Sequence, residues 1–464
     1  MLLRLEVDGF KNLVDFSASF GPFNCIAGEN GVGKSNVFDA IQFLSLIADR
    51  SLLEAARAVR SSSHDGVGEP EHLFTVGVSD RRMRFAVEMV VPSQVSDDFG
   101  MVVEPTITLL RYEVEVGYAE PDGPVRHGRL VVEREELRHI NRGDAHKHLR
   151  FPNNVRDFRN AIVLGERRTG KFISTPDDED RIFLHQDGGS RGRPKHPLPR
   201  RAATTVVSTI NTADSPTVLA ARREMQSWRR LALEPTALRA ADRFVDPQVV
   251  QPDGRHLAAA LHRIANESDA RSPDDVYASI ASRVSGLAGV DLRSLWVDAD
   301  ETRQLLSIVV RDASGQELPA RALSEGTLRY LALCVLLEDP TFTGLITMEE
   351  PENGIHPANL QQVVDLVREL AVDAQLAPGP DNPLRQVIVN THSPAVVRLI
   401  GEEDLLVART RRARVDGRTL DAIQVLGMTG TWRPRGDDLS ATRTDLLPYL
   451  AEPPGAQISL FDVA

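Results

Sequence analysis

Eight consecutive residues, Gly28-Glu29-Asn30-Gly31-Val32-Gly33-Lys34-Ser35, have the types and spacing to hold a polyphosphate. The pattern G-x-x-x-x-G-K-[ST] lets glycine backbone N–H groups close around phosphate oxygens, and a following helix N-terminus adds partial positive charge. Lys34 is then placed to reach the β- and γ-phosphates, and Ser35 to offer its hydroxyl to Mg²⁺. Asn30, Gly31, Gly33 and Asn36 complete the expected nucleotide contacts. Far along the chain, Gly344-Leu345-Ile346-Thr347-Met348 is a largely apolar run ending in Glu349 and Glu350. A phosphate-binding site needs carboxylates there: one for the metal shell, one to orient or deprotonate water. Two exposed acids at a strand end are the plain alternative, and the glycine loop upstream weighs against it. His392, after the apolar run Gln386–Asn390, could hydrogen-bond a γ-phosphate and register its loss. Ser324 and Gly326 open an apolar helix and offer a hydroxyl and free N–H groups to an anion, although Ser-x-Gly is also a common plain cap.

These groups need elements to carry them. Phe23–Ala27 reads as a buried strand before the glycine loop, and Val37, Ala40, Ile41, Leu44 and Ile47 recur at helical spacing after it. Residues 2–8 and 15–20 read as strands joined by Gly9-Phe10-Lys11-Asn12. Segments 83–91, 106–118 and 126–134 predict an antiparallel sheet beside the phosphate loop. Asp187–Arg201 is Gly-, Pro- and Arg-rich and predicts a mobile surface segment. Residues 216–240 and 255–285 read as helices, strands resume at 290–298 and 304–312, and a further helix covers about 358–371. The helical block therefore interrupts the nucleotide-binding part. No internal repeat and no long heptad run is present.

The 464 residues, 42% hydrophobic, can bury more than one core. Cys25 and Cys334 both sit in apolar segments and read as buried thiols, which points to a reducing compartment and a cytoplasmic location. No apolar run reaches bilayer length, so no membrane partner is expected. A net charge of −12 argues against a surface that coats nucleic acid throughout. Local basic grooves are conceivable at Arg191, Arg193, Lys195, Arg200 and Arg201, and at Arg409, Arg411, Arg412 and Arg414, though solvated loop charge accounts for both groups more simply.

Taken in order, the motifs resemble the ABC-type ATPase head, and their wording is closest to the SMC/RecF/OLD-like group. The resemblance rests on Gly9-Phe10-Lys11-Asn12-Leu13, GENGVGKSN at 28–36, LSEGTLRYLAL at 323–333, EEPENGIHP at 349–357 and NTHSP at 390–394. More narrowly, the chain looks like predicted AAA family ATPases of this group that often occur in bacterial defence gene clusters. The resemblance implies an α/β fold: a P-loop head with an antiparallel β lobe and an inserted helical domain. It divides the chain at 1–164 (head, N-terminal part), 165–286 (mobile segment plus helical insertion), 287–430 (head, C-terminal part) and 431–464 (tail).

The resemblance also implies roles: ATP and Mg²⁺ as cofactors, Glu349 with Ser35 at the metal, Glu350 as catalytic base and His392 as γ-phosphate switch. Ser324 and Gly326 would act on the nucleotide of a second, facing head, so a homodimer would close on ATP, and Lys11 would also reach the phosphates. The implied function is a dimeric ATP-hydrolysing switch that engages DNA or a DNA-bound complex and signals to an effector in genome maintenance or anti-phage defence. The alternative is an ATP-gated scaffold that regulates assembly with an effector without touching DNA. The chain departs from the pattern in having Glu349 where many ABC ATPases have Asp, in lacking a recognisable glutamine loop, and in showing no acidic cluster for a nuclease after residue 394. Near the end, Gln457-Ile458-Ser459-Leu460-Phe461 resembles the short peptides that dock on the replication sliding clamp, with chance similarity the simpler account.

Overall fold

The computed structural model describes residues 1–59, 70–120, 128–166, 170–185, 187, 197–199, 201–267, 271–287, 289–434 and 439–446. The Gln457–Phe461 segment and most of Asp187–Arg201 lie outside the described residues. At the centre is a six-stranded sheet in the order Arg229–Leu231, Gly344–Glu349, Arg385–Thr391, Phe23–Ala27, Leu405–Val415, Arg418–Gly427. All neighbours run parallel except the last pair, which forms a hairpin. The inner strands are buried on both faces, as a parallel sheet covered on both sides requires.

Strand periodicity then sorts the side chains into two cores. Ile26, Leu345 and Ile388 enter one, with the first helix (Lys34–Ile47) and helix Pro216–Gln226. Phe23, Cys25, Ala27, Ile346, Met348, Val387 and Val389 enter the other. That second core is closed by helices Leu257–Glu267, Pro273–Ser285, Glu325–Glu338 and Leu360–Glu369, and by strands Leu292–Asp300 and Leu305–Asp312.

An eight-stranded antiparallel sheet flanks the first core, in the order Pro197–Pro199, Arg181–Leu184, Lys171–Ser174, Arg129–His139, Leu109–Ala119, Arg82–Val90, Leu2–Asp8, Phe16–Ser19. It is the antiparallel lobe expected from the sequence. Phe10, Phe43 and Phe85 tie the loop after the first strand, the first helix and this sheet together, with ring centroids 5.4–6.0 Å apart. Each such pair adds about 0.5–1.5 kcal/mol beyond the area it buries, so the loop carrying Lys11 and Asn12 is anchored beside the glycine loop.

Three expectations need correction. Residues 216–240 are not one helix: the helix stops at Gln226, and Arg229–Leu231 becomes an edge strand. The reason is the open edge of strand Gly344–Glu349, whose backbone groups pair with Arg229–Leu231. Nor do residues 165–286 form a body of their own: strands at 171–184 extend the outer sheet, and the helices supply both cores. Finally, Arg409, Arg411, Arg412 and Arg414 lie on strand Leu405–Val415 rather than in a loop.

Candidate functional site

Parallel register brings three strand ends to one level. Glu349 pairs with Asn390, Asn390 with Ile26, and Thr391 with Ala27. The residues just beyond, Gly28–Ser35, Glu350–Ile355 and His392–Ser393, therefore converge at one edge of the sheet.

The glycine loop is held in shape from outside. Gly33 caps the first helix with φ 106°, and Gly31 has φ 82°, both in the left-handed region. Asn12 donates to the Val32 carbonyl at 3.0 Å and accepts from Asn36 Nδ2 at 2.8 Å. Asn30 and Gly31 are exposed at the loop tip, and Ser35 and Asn36 are half-buried in the first helical turn. Lys34 Nζ donates to the Gly28 and Glu29 carbonyls at 2.6 and 2.8 Å. Burial pushes the Lys34 ammonium below its ordinary value, and Glu350, Glu349, Glu352 and Glu29 pull it back part of the way. Those carboxylates thus share an electrostatic neighbourhood with the lysine.

Glu350 has φ 45°, a left-handed backbone that a non-glycine residue adopts only when its surroundings require it. The requirement is visible: its N–H donates to the carbonyl and side-chain oxygens of Asn390 at 3.1 and 3.2 Å. Its carboxylate accepts from Asn353 Nδ2 at 2.8 Å and meets His392 Nδ1 at 2.6 Å. Burial pushes this carboxyl up, but the bonds from Asn353 and His392, with the Lys34 charge, outweigh it and hold the group below the usual range. Glu352 behaves oppositely. It accepts from the Thr391 hydroxyl, its Oε2 is buried without a hydrogen bond, and burial with the nearby Glu350 charge pushes its carboxyl up. Thr391 Oγ1 also accepts from Ser393 N at 2.9 Å, so Glu352 braces the turn that carries His392.

On the far side of Glu349 runs a chain of charges. Arg230 donates to Glu349 Oε1 at 2.6 Å and to Asp39 Oδ1 at 3.0 Å, and Lys11 pairs with Asp39 Oδ2 at 2.7 Å. Lys11, expected at the phosphates, is thus turned to the first helix, because the fully buried Asp39 carboxylate draws both cations.

The serine-glycine helix is placed elsewhere. Ser324 caps helix Glu325–Glu338, its Oγ accepting from Thr327 N at 3.2 Å. Gly326 packs so tightly that an added Cβ would lie 2.6 Å from the Gly354 carbonyl oxygen, and Arg329 Nη1 donates to the Asn353 carbonyl at 2.5 Å. Ser324, Gly326 and Thr327 line a cavity of about 470 Å³ with Gly354, His356 and Arg311, not a wall of the glycine loop. The helix is nevertheless mechanically joined to the Glu350 turn.

Strand-end register thus unites Lys34, Ser35, Glu349, Glu350 and His392 and leaves out Ser324 and Gly326. Sequence reasoning did not single out Asn12, Asp39, Arg230, Glu352, Asn353 or Asn390. A signal existed for some: Asp39 lies four residues after Ser35, on the same helix face, and Glu352 and Asn353 sit inside the EEPENGIHP stretch. Nothing local marks Arg230.

The family described as "AAA domain, putative AbiEii toxin, Type IV TA system" matches residues 23–398. Among curated proteins, the chain is similar to the DNA replication and repair protein RecF of Phocaeicola vulgatus, 23% identical over 150 residues, 30% of this chain and 40% of that protein. It is also similar to RecF of Parabacteroides distasonis, 26% identical over 111 residues, 22% of this chain and 30% of that protein. The matches therefore span less than half of either relative. Similar solved structures include an Smc head bound to the C-terminal winged-helix domain of ScpA, with 15% identity, TM-score 0.44, and 92% of this chain and 98% of that chain covered. A Pyrococcus furiosus Smc head with an extended coiled coil, bound to the C-terminal domain of ScpA, gives 13%, 0.45, 92% and 96%.

Proposed function

This chain belongs to that AAA-domain family and to the SMC/RecF group of ABC-type ATPases, and from that premise we propose that it is an ATP-hydrolysing dimeric switch. In this reading it engages DNA or a DNA-bound complex and passes the signal to an effector protein, in genome maintenance or anti-phage defence. The observation that carries the reading is the parallel register that sets the glycine loop, the Glu349-Glu350 pair and His392 side by side.

The donor set fits a nucleotide with Mg²⁺. The loop offers backbone N–H groups around left-handed glycines and a lysine ammonium, while Ser35 and Glu349 offer the oxygen ligands that Mg²⁺ takes. Bound Mg²⁺ would supply charge neutralisation to the phosphates. The protein's own groups do the rest. Lys34 exchanges loop carbonyls for phosphate oxygens, and Ser35 and Glu349 orient the metal side. Glu350, kept ionised by Asn353 and His392, accepts the proton of the attacking water. His392 fixes the Glu350 carboxylate through Nδ1 and keeps Nε2 for the terminal phosphate. Ser324 and Gly326 contact the nucleotide of a facing head, and because their helix is bonded to the Glu350 turn, closure and the base are mechanically linked.

The deciding experiment is the solution mass of Lys34→Ala and Glu350→Gln, each with and without ATP-Mg²⁺. Association of Glu350→Gln alone on ATP supports a head that closes on nucleotide and reopens on hydrolysis. Association of neither variant refutes the two-headed switch. The scaffold reading is separated by signalling to the effector: it predicts that Glu350→Gln behaves as wild type while Lys34→Ala does not.

A further inference from the structure

Arg230 joins the two elements that carry the metal-facing oxygens. Its strand, Arg229–Leu231, lies parallel to Gly344–Glu349 with Arg230 opposite Thr347. From there one guanidinium nitrogen donates to Glu349 Oε1 at 2.6 Å and the other to Asp39 Oδ1 at 3.0 Å. Asp39 follows Ser35 by four residues on the first helix, so the two share a face about one turn apart. A guanidinium is a rigid planar fork, and two bonds from one fork fix the spacing of the groups they hold, which a flexible ammonium cannot do. The Asp39 end does not let go easily. Its side chain is wholly buried, and opening the bridge would take from a buried carboxylate one of the two cations, Arg230 and Lys11, that pair with it. Lys11 on the other Asp39 oxygen ties the same bridge to the loop beneath the outer sheet.

We propose that Arg230 is the positioning residue for the metal side of this site: it holds the Glu349 carboxylate in register with the Ser35 hydroxyl, so that a divalent cation meets both oxygens together. The proposal rests on the nucleotide-binding reading above. It assigns Arg230 no contact with the phosphates, so the residue acts only when a divalent cation is part of the complex.

The test uses the full-length chain carrying Glu350→Gln, which keeps nucleotide unhydrolysed, and measures equilibrium binding of a fluorescent ATP analogue in EDTA and along a Mg²⁺ titration. Removing a residue that holds a metal ligand typically costs about 10–100-fold in metal affinity, so Arg230→Gln should raise the Mg²⁺ midpoint by about that factor, with affinity in EDTA unchanged within about twofold. Arg230→Lys should resemble Arg230→Gln, because charge without the fork does not set the spacing. Asp39→Asn, which keeps the volume but weakens the other end of the bridge, should shift the midpoint in the same direction. An unchanged midpoint in Arg230→Gln overturns the proposal, as does an equal loss of affinity in EDTA. So does an Arg230→Lys variant indistinguishable from its parent, since charge alone would then suffice. If the parent chain binds no analogue, the nucleotide reading falls and this proposal with it; a defect missing only from the Arg230 variants removes this proposal alone.

Discussion

Replacing Gly33 by alanine tests whether the glycine loop is held by its neighbours or only by its own turn. Two costs of the same sign follow from the geometry. Gly33 has φ 106°, and a side chain in left-handed backbone costs about 1–2 kcal/mol. The new Cβ would also lie 2.3 Å from Asn12 Nδ2 and 2.6 Å from Asn12 Oδ1. Asn12 cannot simply swing away, because it bonds the Val32 carbonyl and the Asn36 amide. Overpacking of this kind costs about 1–3 kcal/mol, giving about 2–5 kcal/mol together with the strain. Hydrogen exchange of the peptide spanning residues 28–38 reads this locally, and Gly33→Ala should speed its exchange by about 30-fold or more. In an Asn12→Ala background the collision is gone and only strain remains, so the same substitution should speed exchange by about 5–30-fold. An equal factor in both backgrounds would refute the claim that Asn12 braces the loop.

Glu350→Gln should slow ATP turnover by about 10²–10⁴-fold, the usual contribution of a general base, with nucleotide affinity retained in equilibrium binding. Because the Glu350 carboxyl is held below its ordinary value, its working, ionised form persists as pH falls until that lowered value is reached. Asn353→Ala removes one of the bonds holding it down and should move the acid limb of the kcat profile to higher pH. Burial pushes the Cys334 thiol up to about 12 and the Cys25 thiol higher, so neither should be alkylated by iodoacetamide at pH 8 unless the protein is unfolded. Mass spectrometry of the native and denatured protein after alkylation checks this directly.

Much of the site was legible because its chemistry depends on local spacing. The glycine loop, the acids ending an apolar strand and the histidine ending another each declare themselves within eight residues, and the apolar runs between them set their strands. What was not legible depends on tertiary neighbours. Arg229–Leu231 carries no strand pattern of its own and becomes a strand because it meets an open sheet edge. Lys11 turns from the phosphates to Asp39 because a buried carboxylate outweighs any preference readable from the loop. Gly326 reads as an anion-binding glycine, yet in this fold it also has a packing reason, the close approach of the Gly354 carbonyl. The arginines of Leu405–Val415 read as loop charge because their strand alternates only weakly in hydropathy.

The central sheet has a consequence for how this protein is made. The strand that launches the glycine loop is flanked by Arg385–Thr391 and Leu405–Val415, and Phe23 is paired with Val387. Roughly 360 residues must be synthesised between the two, which at about 5–20 residues per second is on the order of 20–70 s. Through that interval the nascent chain displays an apolar strand, a glycine loop and a helix with neither neighbouring strand in existence, a state of high contact order that invites chaperones and aggregation. The glycine loop therefore leaves the ribosome long before the two strands that flank its own strand, and the register that brings it beside Glu349, Glu350 and His392 forms only after residues 385–407 have been made.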